Sequence, residues 1–162
     1  LDRMGLTILQ ARALDGPSRT IFDTFHVLPS DPQHPPAPAA IEDALRRTLA
    51  GDFDRVLPAR RTQPRHLKHF RISPRIGIEA LPEGGASLLT LVCTDRPGLL
   101  ADVTHVLRGQ RVRVHDARIA TFGERAEDLF RIAGPDDRAL DEAAAEALRT
   151  ALAQALDAGA PA

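Results

Sequence analysis

Leu6-Thr-Ile-Leu-Gln-Ala-Arg12 and Val112-Arg-Val-His-Asp-Ala-Arg118 lie over one another at an offset of 106 residues. Further on, Asp23-Thr-Phe-His-Val27 lies over Asp128-Leu-Phe-Arg-Ile132 at an offset of 105. Offsets that differ by one are what turns of unequal length produce in two copies of one hairpin. An internal repeat governs the whole fold reading and is taken first. In each copy apolar and polar residues alternate, as at Leu6, Ile8 and at Val112, Val114, the signal of a half-buried strand. Turn residues follow, Asp15-Gly-Pro-Ser18 in the first copy and Phe122-Gly-Glu124 in the second. The return strands carry Ile21, Phe25, Val27 and Phe130, Ile132. With Gly123 as the turn centre, Arg118 falls opposite Asp128, and Arg12 falls opposite Asp23. These are expected as two cross-strand ion pairs with a structural role.

Helices fill the intervals. After the Pro-rich stretch 29–38, Ile41, Leu45 and Leu49 recur at i+4 and Gly51 stops the helix. Leu99, Val103, Val106 and Leu107 share a face in a helix over 98–108. Gly134-Pro-Asp-Asp137 is expected to cap a last helix with the stripe Leu140, Ala144, Leu148, Leu152, Leu156, ended by Gly159. Strands are expected at Ile76–Ile78 and over 87–93. The second copy then reads β (87–93), α (98–108), β (111–120), β (125–133), α (136–158). This is an α+β chain of ferredoxin-like βαββαβ units in tandem, with antiparallel sheets and helices on one face. The first unit, residues 1–80, lacks its opening strand and most of its first helix, and Ile76–Ile78 is expected to close it. The second unit covers 86–158. The chain opens at Leu1 rather than Met and is read as a piece of something longer. The exposed edge of the incomplete unit calls for a cover, and a partner chain is the simplest one.

Composition narrows the function. The chain has 162 residues, a formal net charge of −1 and 43% hydrophobic residues, so no global field draws it to nucleic acid or membrane. No apolar run approaches the ~20 residues of a membrane span. A lone cysteine, Cys93, excludes an internal disulfide and fits a reducing, cytoplasmic compartment. The stretch Arg55–Arg75 holds seven Lys and Arg residues and no Asp or Glu. Phe70 is its single aromatic, so base stacking is poorly supported, and it reads as a basic linker meeting acidic protein surface. His66 and His69, three apart, have no acidic residue or Cys nearby to complete a metal site. No Ser-His-Asp arrangement, phosphate-binding glycine loop or pair of catalytic carboxylates follows from spacing, and no cofactor is implied.

The segment that carries chemistry is Thr94-Asp-Arg-Pro-Gly-Leu-Leu100, which joins an apolar strand directly to a helix. Asp95 is placed to cap that helix, Pro97 suits its first turn, and Gly98 lets a ligand approach the backbone. An open helix N-terminus offers N–H groups and a positive dipole end to a carboxylate or phosphate. A tight strand-to-helix turn with no ligand is the alternative.

This segment resembles the signature of ACT domains, which are amino-acid-sensing ferredoxin-like modules. With Ala117–Phe130 and Arg65-His-Leu-Lys-His-Phe70, the chain resembles the C-terminal tandem ACT region of the bacterial enzyme family that adds UMP to, and removes it from, the PII nitrogen signal protein. The resemblance covers about Leu6 to Ile132. It implies allosteric sensing of glutamine, with catalysis in upstream nucleotidyltransferase and phosphohydrolase domains, PII as partner of the full-length enzyme, and homodimers through ACT sheet edges or faces. It also implies ligand contacts at Asp95, Arg96, Pro97, Gly98, Leu99 and Leu100. Facing positions lie near His115 and Asp116 or near Leu9 and Gln10, with Asp102 or Asp116 as carboxylates for a ligand ammonium. The first copy has no Asp-Arg-Pro-Gly loop. The rival readings are an assembly module that binds nothing small and the ACT pair of another amino-acid-regulated enzyme.

Overall fold

In the computed structural model, residues 1–16, 20–51 and 72–158 are described. Most of the basic linker, with His66 and His69, and Gly159, expected to end the last helix, lie outside them. The elements are β1 (Leu6–Asp15), β2 (Ile21–Pro29), α1 (Pro38–Ala50), β3 (Arg75–Ala80), β4 (Ser87–Thr94), α2 (Leu99–Gly109), β5 (Arg113–Phe122), β6 (Arg125–Ala133) and α3 (Glu142–Ala158). The strands form one six-stranded sheet in the order β2-β1-β5-β6-β4-β3. Every neighbouring pair is antiparallel.

The repeat explains the middle of that sheet. In the β1–β5 ladder Arg12 faces Arg118, while Gln10 faces Ala120 and Leu14 faces Asp116. At the 106 offset, Gln10 corresponds to Asp116 and Leu14 to Ala120, so the pairing exchanges equivalent positions. A local two-fold therefore passes through the Arg12–Arg118 pair and relates the two hairpins. The bulges obey it too. The register skips Leu9 between Ile8 and Gln10, and it skips His115 between Val114 and Asp116. Leu9 and His115 are the same position of the repeat.

The core lies on one face. Alternation along β4 buries Leu89, Leu91 and Cys93; along β6 it buries Ala126, Phe130 and Ile132; along β5 it buries Ala117 and Ile119. Leu99, Val103 and Leu107 of α2 and Leu148, Leu152 and Leu156 of α3 close over these residues in one cluster. Full burial of such a side chain contributes about 1.5–3 kcal/mol. The opposite face of the sheet carries no helix from this cluster. The first hairpin is treated differently from the second. Phe25, the counterpart of Phe130, is 41% exposed against 2%. Helix α1 has no buried residue, and among the described residues no strand pairs with the outer side of β2.

Four expectations are corrected. First, the β5–β6 turn has two residues, Gly123 and Glu124, with Phe122 facing Arg125. Arg118 therefore faces Leu129 and Asp128 faces Ile119, on opposite sides of the sheet. The first hairpin shows the same one-residue difference, with Arg12 facing Thr24 and Asp23 facing Ala13. Neither expected ion pair has the register it needs, because a slip of one residue moves a side chain to the other face. Second, Ile76–Ile78 does not close the first unit: β3 pairs with β4, from Arg75 opposite Val92 to Ala80 opposite Ser87. Third, α3 begins at Glu142, not at 136. Asp141 caps it, its Oδ1 accepting from the Ala144 N–H at 2.8 Å, and Ala144 of the expected stripe is exposed. Fourth, α2 begins at Leu99, with Gly98 rather than Asp95 at the cap position and Pro97 outside the helix.

Candidate functional site

The strand-to-helix loop follows from its residues. Strand β4 ends at Thr94, and the Asp95 N–H donates to the Glu124 carbonyl of the β5–β6 turn at 2.8 Å, which fixes the loop to the next hairpin. Gly98 adopts φ 80°, ψ 0°, a left-handed conformation that a side chain disfavours. The Leu99 N–H then donates to the Arg96 carbonyl at 3.1 Å, and the Asp102 N–H to the Gly98 carbonyl at 3.0 Å. Gly98, at the cap position, has no side chain with which to cap the helix. The first-turn N–H groups of Leu100 and Ala101 are of the kind a helix leaves without intrahelical partners. Positive partial charge collects there, which suits a carboxylate.

The charged residues around this terminus are arranged unevenly. Arg96, only 10% exposed at its side chain, places Nη2 2.5 Å from Oδ2 of Asp102 in the first turn of α2. This contact is an ion pair by distance, although Nη2 has no hydrogen bond of good geometry. Asp102 is therefore already engaged by Arg96. On β6, opposite Leu91 of β4, lies a buried acid that the motif did not point to. Asp128 is 2% exposed on the apolar face of β6, with Oδ1 lacking a hydrogen-bond partner. Burial pushes its carboxyl up to about 7, the Ala120 N–H hydrogen bond opposes this, and the charge of Asp95 adds to the rise. Cys93 is buried on the same face. Burial and then the Asp128 charge push its thiol up to about 12, against a lowering by Arg96. Cys93, Asp95, Arg96 and Asp128 thus share one electrostatic neighbourhood. Alternation with Ala126 and Phe130 is the signal that marks Asp128 in the sequence.

The facing positions divide between the two ends of the sheet. Thr94 and Phe122 both lie opposite Arg125, so the loop 95–98 is at the β5–β6 turn end. Arg113 lies opposite Ala133 at the other end, and His115 and Asp116 belong to that end. His115 places Nε2 3.3 Å from Asp137, which also pairs with Arg113 at 2.7 Å. Asp116 lies opposite Arg131 and has a buried Oδ1 without a hydrogen bond. Leu9 and Gln10 are at the same end as the loop, for Gln10 faces Ala120, and Thr121 Oγ1 donates to the Ile8 carbonyl at 3.4 Å. Within one chain the loop is thus brought to the end of the Leu9 bulge, not of the His115 bulge. Among the described residues no cluster of three or more His, Cys, Asp or Glu is placed to hold a metal ion. No described helix is long and apolar enough to cross a membrane.

Comparison with known proteins follows this geometry. The ACT domain family model matches residues 87–159, from β4 to the end of α3. A bifunctional uridylyltransferase/uridylyl-removing enzyme of Xanthomonas campestris pv. campestris (strain B100) is 54% identical over 157 residues, which is 97% of this chain and 18% of that protein. One of Xanthomonas axonopodis pv. citri (strain 306) matches at the same identity and coverage. One of Methylococcus capsulatus (strain ATCC 33009 / NCIMB 11132 / Bath) is 35% identical over 156 residues, 94% of this chain and 18% of that protein. The chain thus spans about a fifth of the length of these curated relatives. No solved structure matches it. The chain carries an ACT domain and is homologous over nearly its whole length to the C-terminal part of the bifunctional uridylyltransferase/uridylyl-removing enzymes.

Proposed function

We propose that this chain is the amino-acid-sensing, regulatory region of a uridylyltransferase/uridylyl-removing enzyme that modifies a PII signal protein, with glutamine as the effector. The observation that carries the reading is the glycine-capped N-terminus of α2. Gly98 at its cap position carries no side chain, and Asp128, a buried acid with an unpartnered oxygen, feels the charge of Asp95 in the same loop. A free amino acid has the charges for such a place: a carboxylate for the helix N–H groups and an ammonium for carbonyls or a carboxylate. Asp95–Leu100 contribute the backbone cradle, and Arg96 and Asp102 hold the cradle's shape. The local two-fold supports a tandem pair of ACT units, each bringing its second strand toward the other's loop. In that arrangement the α2 loop is served by the Leu9–Gln10 bulge. The His115–Asp116 bulge serves an equivalent loop of the first unit.

Regulation follows if glutamine binds one arrangement of the units better than another. The differential affinity is then the coupling free energy passed to the catalytic domains. The test is the balance of UMP addition and removal on PII by the longer enzyme as glutamine is raised. The reading expects the balance to shift with glutamine and the shift to vanish in Gly98→Val. A glutamine response identical in the variant contradicts it.

The outer edge of β2, unpaired among the described residues and with Ile21, Phe22, Phe25 and Leu28 exposed, favours a second reading alongside the first. An unpaired strand edge is a template for pairing, and homodimerisation through it is the assembly role. Sedimentation that shows a monomer at all concentrations argues against assembly through β2.

A further inference from the structure

The face of the sheet opposite the α2–α3 core holds a pair of charges that neither the core nor the α2 site uses. Arg12 and Arg118 face each other directly across the β1–β5 ladder, and both are exposed. Their neighbours Ala11, Ala117 and Ile119 are buried in the core, so alternation sends both guanidinium groups to the opposite side. Residues so opposed have Cβ atoms roughly 4.5–5.5 Å apart, and like charges there destabilise a sheet.

No described carboxylate forms an ion pair with them. Among the described residues neither arginine makes an ion pair, and Glu127, on the same face, is held by Arg125 at 2.8 Å. The pair lies in an open trough of about 630 Å³ whose lining also includes Gln10, Thr90, Phe122, Leu129 and two acids, Glu127 and the buried Asp128. Because 12 and 118 are one position of the repeat, the two forks are related by the local two-fold. They present a symmetric set of donors to whatever enters between them. A guanidinium fork matches two oxygens of one phosphate or carboxylate group. Two forks match a group or molecule with two negative charges.

We propose that this trough binds a small dianion, a phosphate (inorganic or ester) or a dicarboxylate, between Arg12 and Arg118. Binding relieves the repulsion of the two cations, so the ligand also stabilises the fold by mass action. The site lies across the sheet from the α2 terminus and stands or falls independently of the amino-acid reading.

The test is a titration of the 15N-labelled chain with inorganic phosphate and, separately, with succinate, at pH 7.5 and constant ionic strength maintained with chloride. Saturable shifts of the Arg12 and Arg118 amides are expected with at least one of the two. The affinity falls tenfold or more in Arg12→Gln and in Arg118→Gln and is unchanged in Arg131→Gln. Without added dianion, both Gln variants melt at or above the temperature of the parent, which shows that they fold and that the repulsion is real. Saturation by phosphate alone identifies the phosphate class, and saturation by succinate alone the dicarboxylate class. Shifts that stay linear for both anions overturn the proposal. So does binding that survives in the Arg12→Gln/Arg118→Gln double variant.

Discussion

Asp128 makes the stability of this fold depend on pH in a direction opposite to that of an ordinary salt-bridged carboxylate. It is buried on β6 between β4 and β5, with one hydrogen bond to its carboxylate, from the Ala120 N–H, and one oxygen unpartnered. Burial raises its folded pKa to about 7, against 3.8 for the ordinary group. Between those two values the folded chain holds a proton that the unfolded chain has released. Stability therefore falls as pH rises from about 4 to about 7 and is level above that. At about 1.4 kcal/mol for each tenfold change in proton affinity, the full effect is on the order of 4 kcal/mol. Asp128→Asn keeps the shape and cannot ionise. Its stability relative to the parent is expected to begin rising near pH 4 and to gain roughly a further 2–3 kcal/mol between pH 5 and pH 8. Urea unfolding followed by circular dichroism at pH 5, 6.5 and 8 gives the difference directly, because other titrating groups cancel between variant and parent. A difference that does not change with pH, or an Asn variant less stable than the parent at pH 8, refutes the reasoning.

Phe130→Ala empties the packed core and is expected to cost about 3–5 kcal/mol. Phe25→Ala, at the equivalent position of the open hairpin, is expected to cost under about 1 kcal/mol. Equal losses in urea unfolding would mean that the first hairpin is covered as the second is. At Gly77 an added Cβ would meet Thr90 Oγ1 at 2.5 Å; Gly77→Ala should cost about 1–3 kcal/mol by overpacking, and adding Thr90→Ala should recover most of it. Cys93 is buried with its thiol pushed up to about 12. At pH 7.5 it should react with Ellman's reagent at least a hundredfold more slowly in the native chain than in urea, since the thiolate is the nucleophile.

Much of this architecture is legible in the residues. The 106-residue repeat anticipates two equivalent hairpins, and the equivalent bulges at Leu9 and His115 bear out that equivalence in detail. The α2 and α3 stripes were legible because helical periodicity is local. What failed depends on information that composition carries weakly. Gly123 takes φ 61° as the first of two turn residues rather than the centre of a three-residue turn. That single step moves Arg118 and Asp128 to opposite faces of the sheet. Whether β3 joins the first hairpin or the second is a question of strand order, which local pattern does not encode. At the site, Asp-Arg-Pro-Gly located the helix terminus but not its cap, because the left-handed Gly98 ends the loop where Asp95 was expected to. Asp128 was legible as a charge on an apolar alternation, and the presumed ion pair concealed what that position meant.

The central claim, that the glycine-capped terminus of α2 receives an amino acid, is tested most directly by calorimetric titration of this chain with a panel of free amino acids. The account predicts saturable heat with glutamine, weaker or no heat with the others, and loss of the glutamine signal in Gly98→Val. Absence of heat with every amino acid, or glutamine heat that persists undiminished in Gly98→Val, would contradict it.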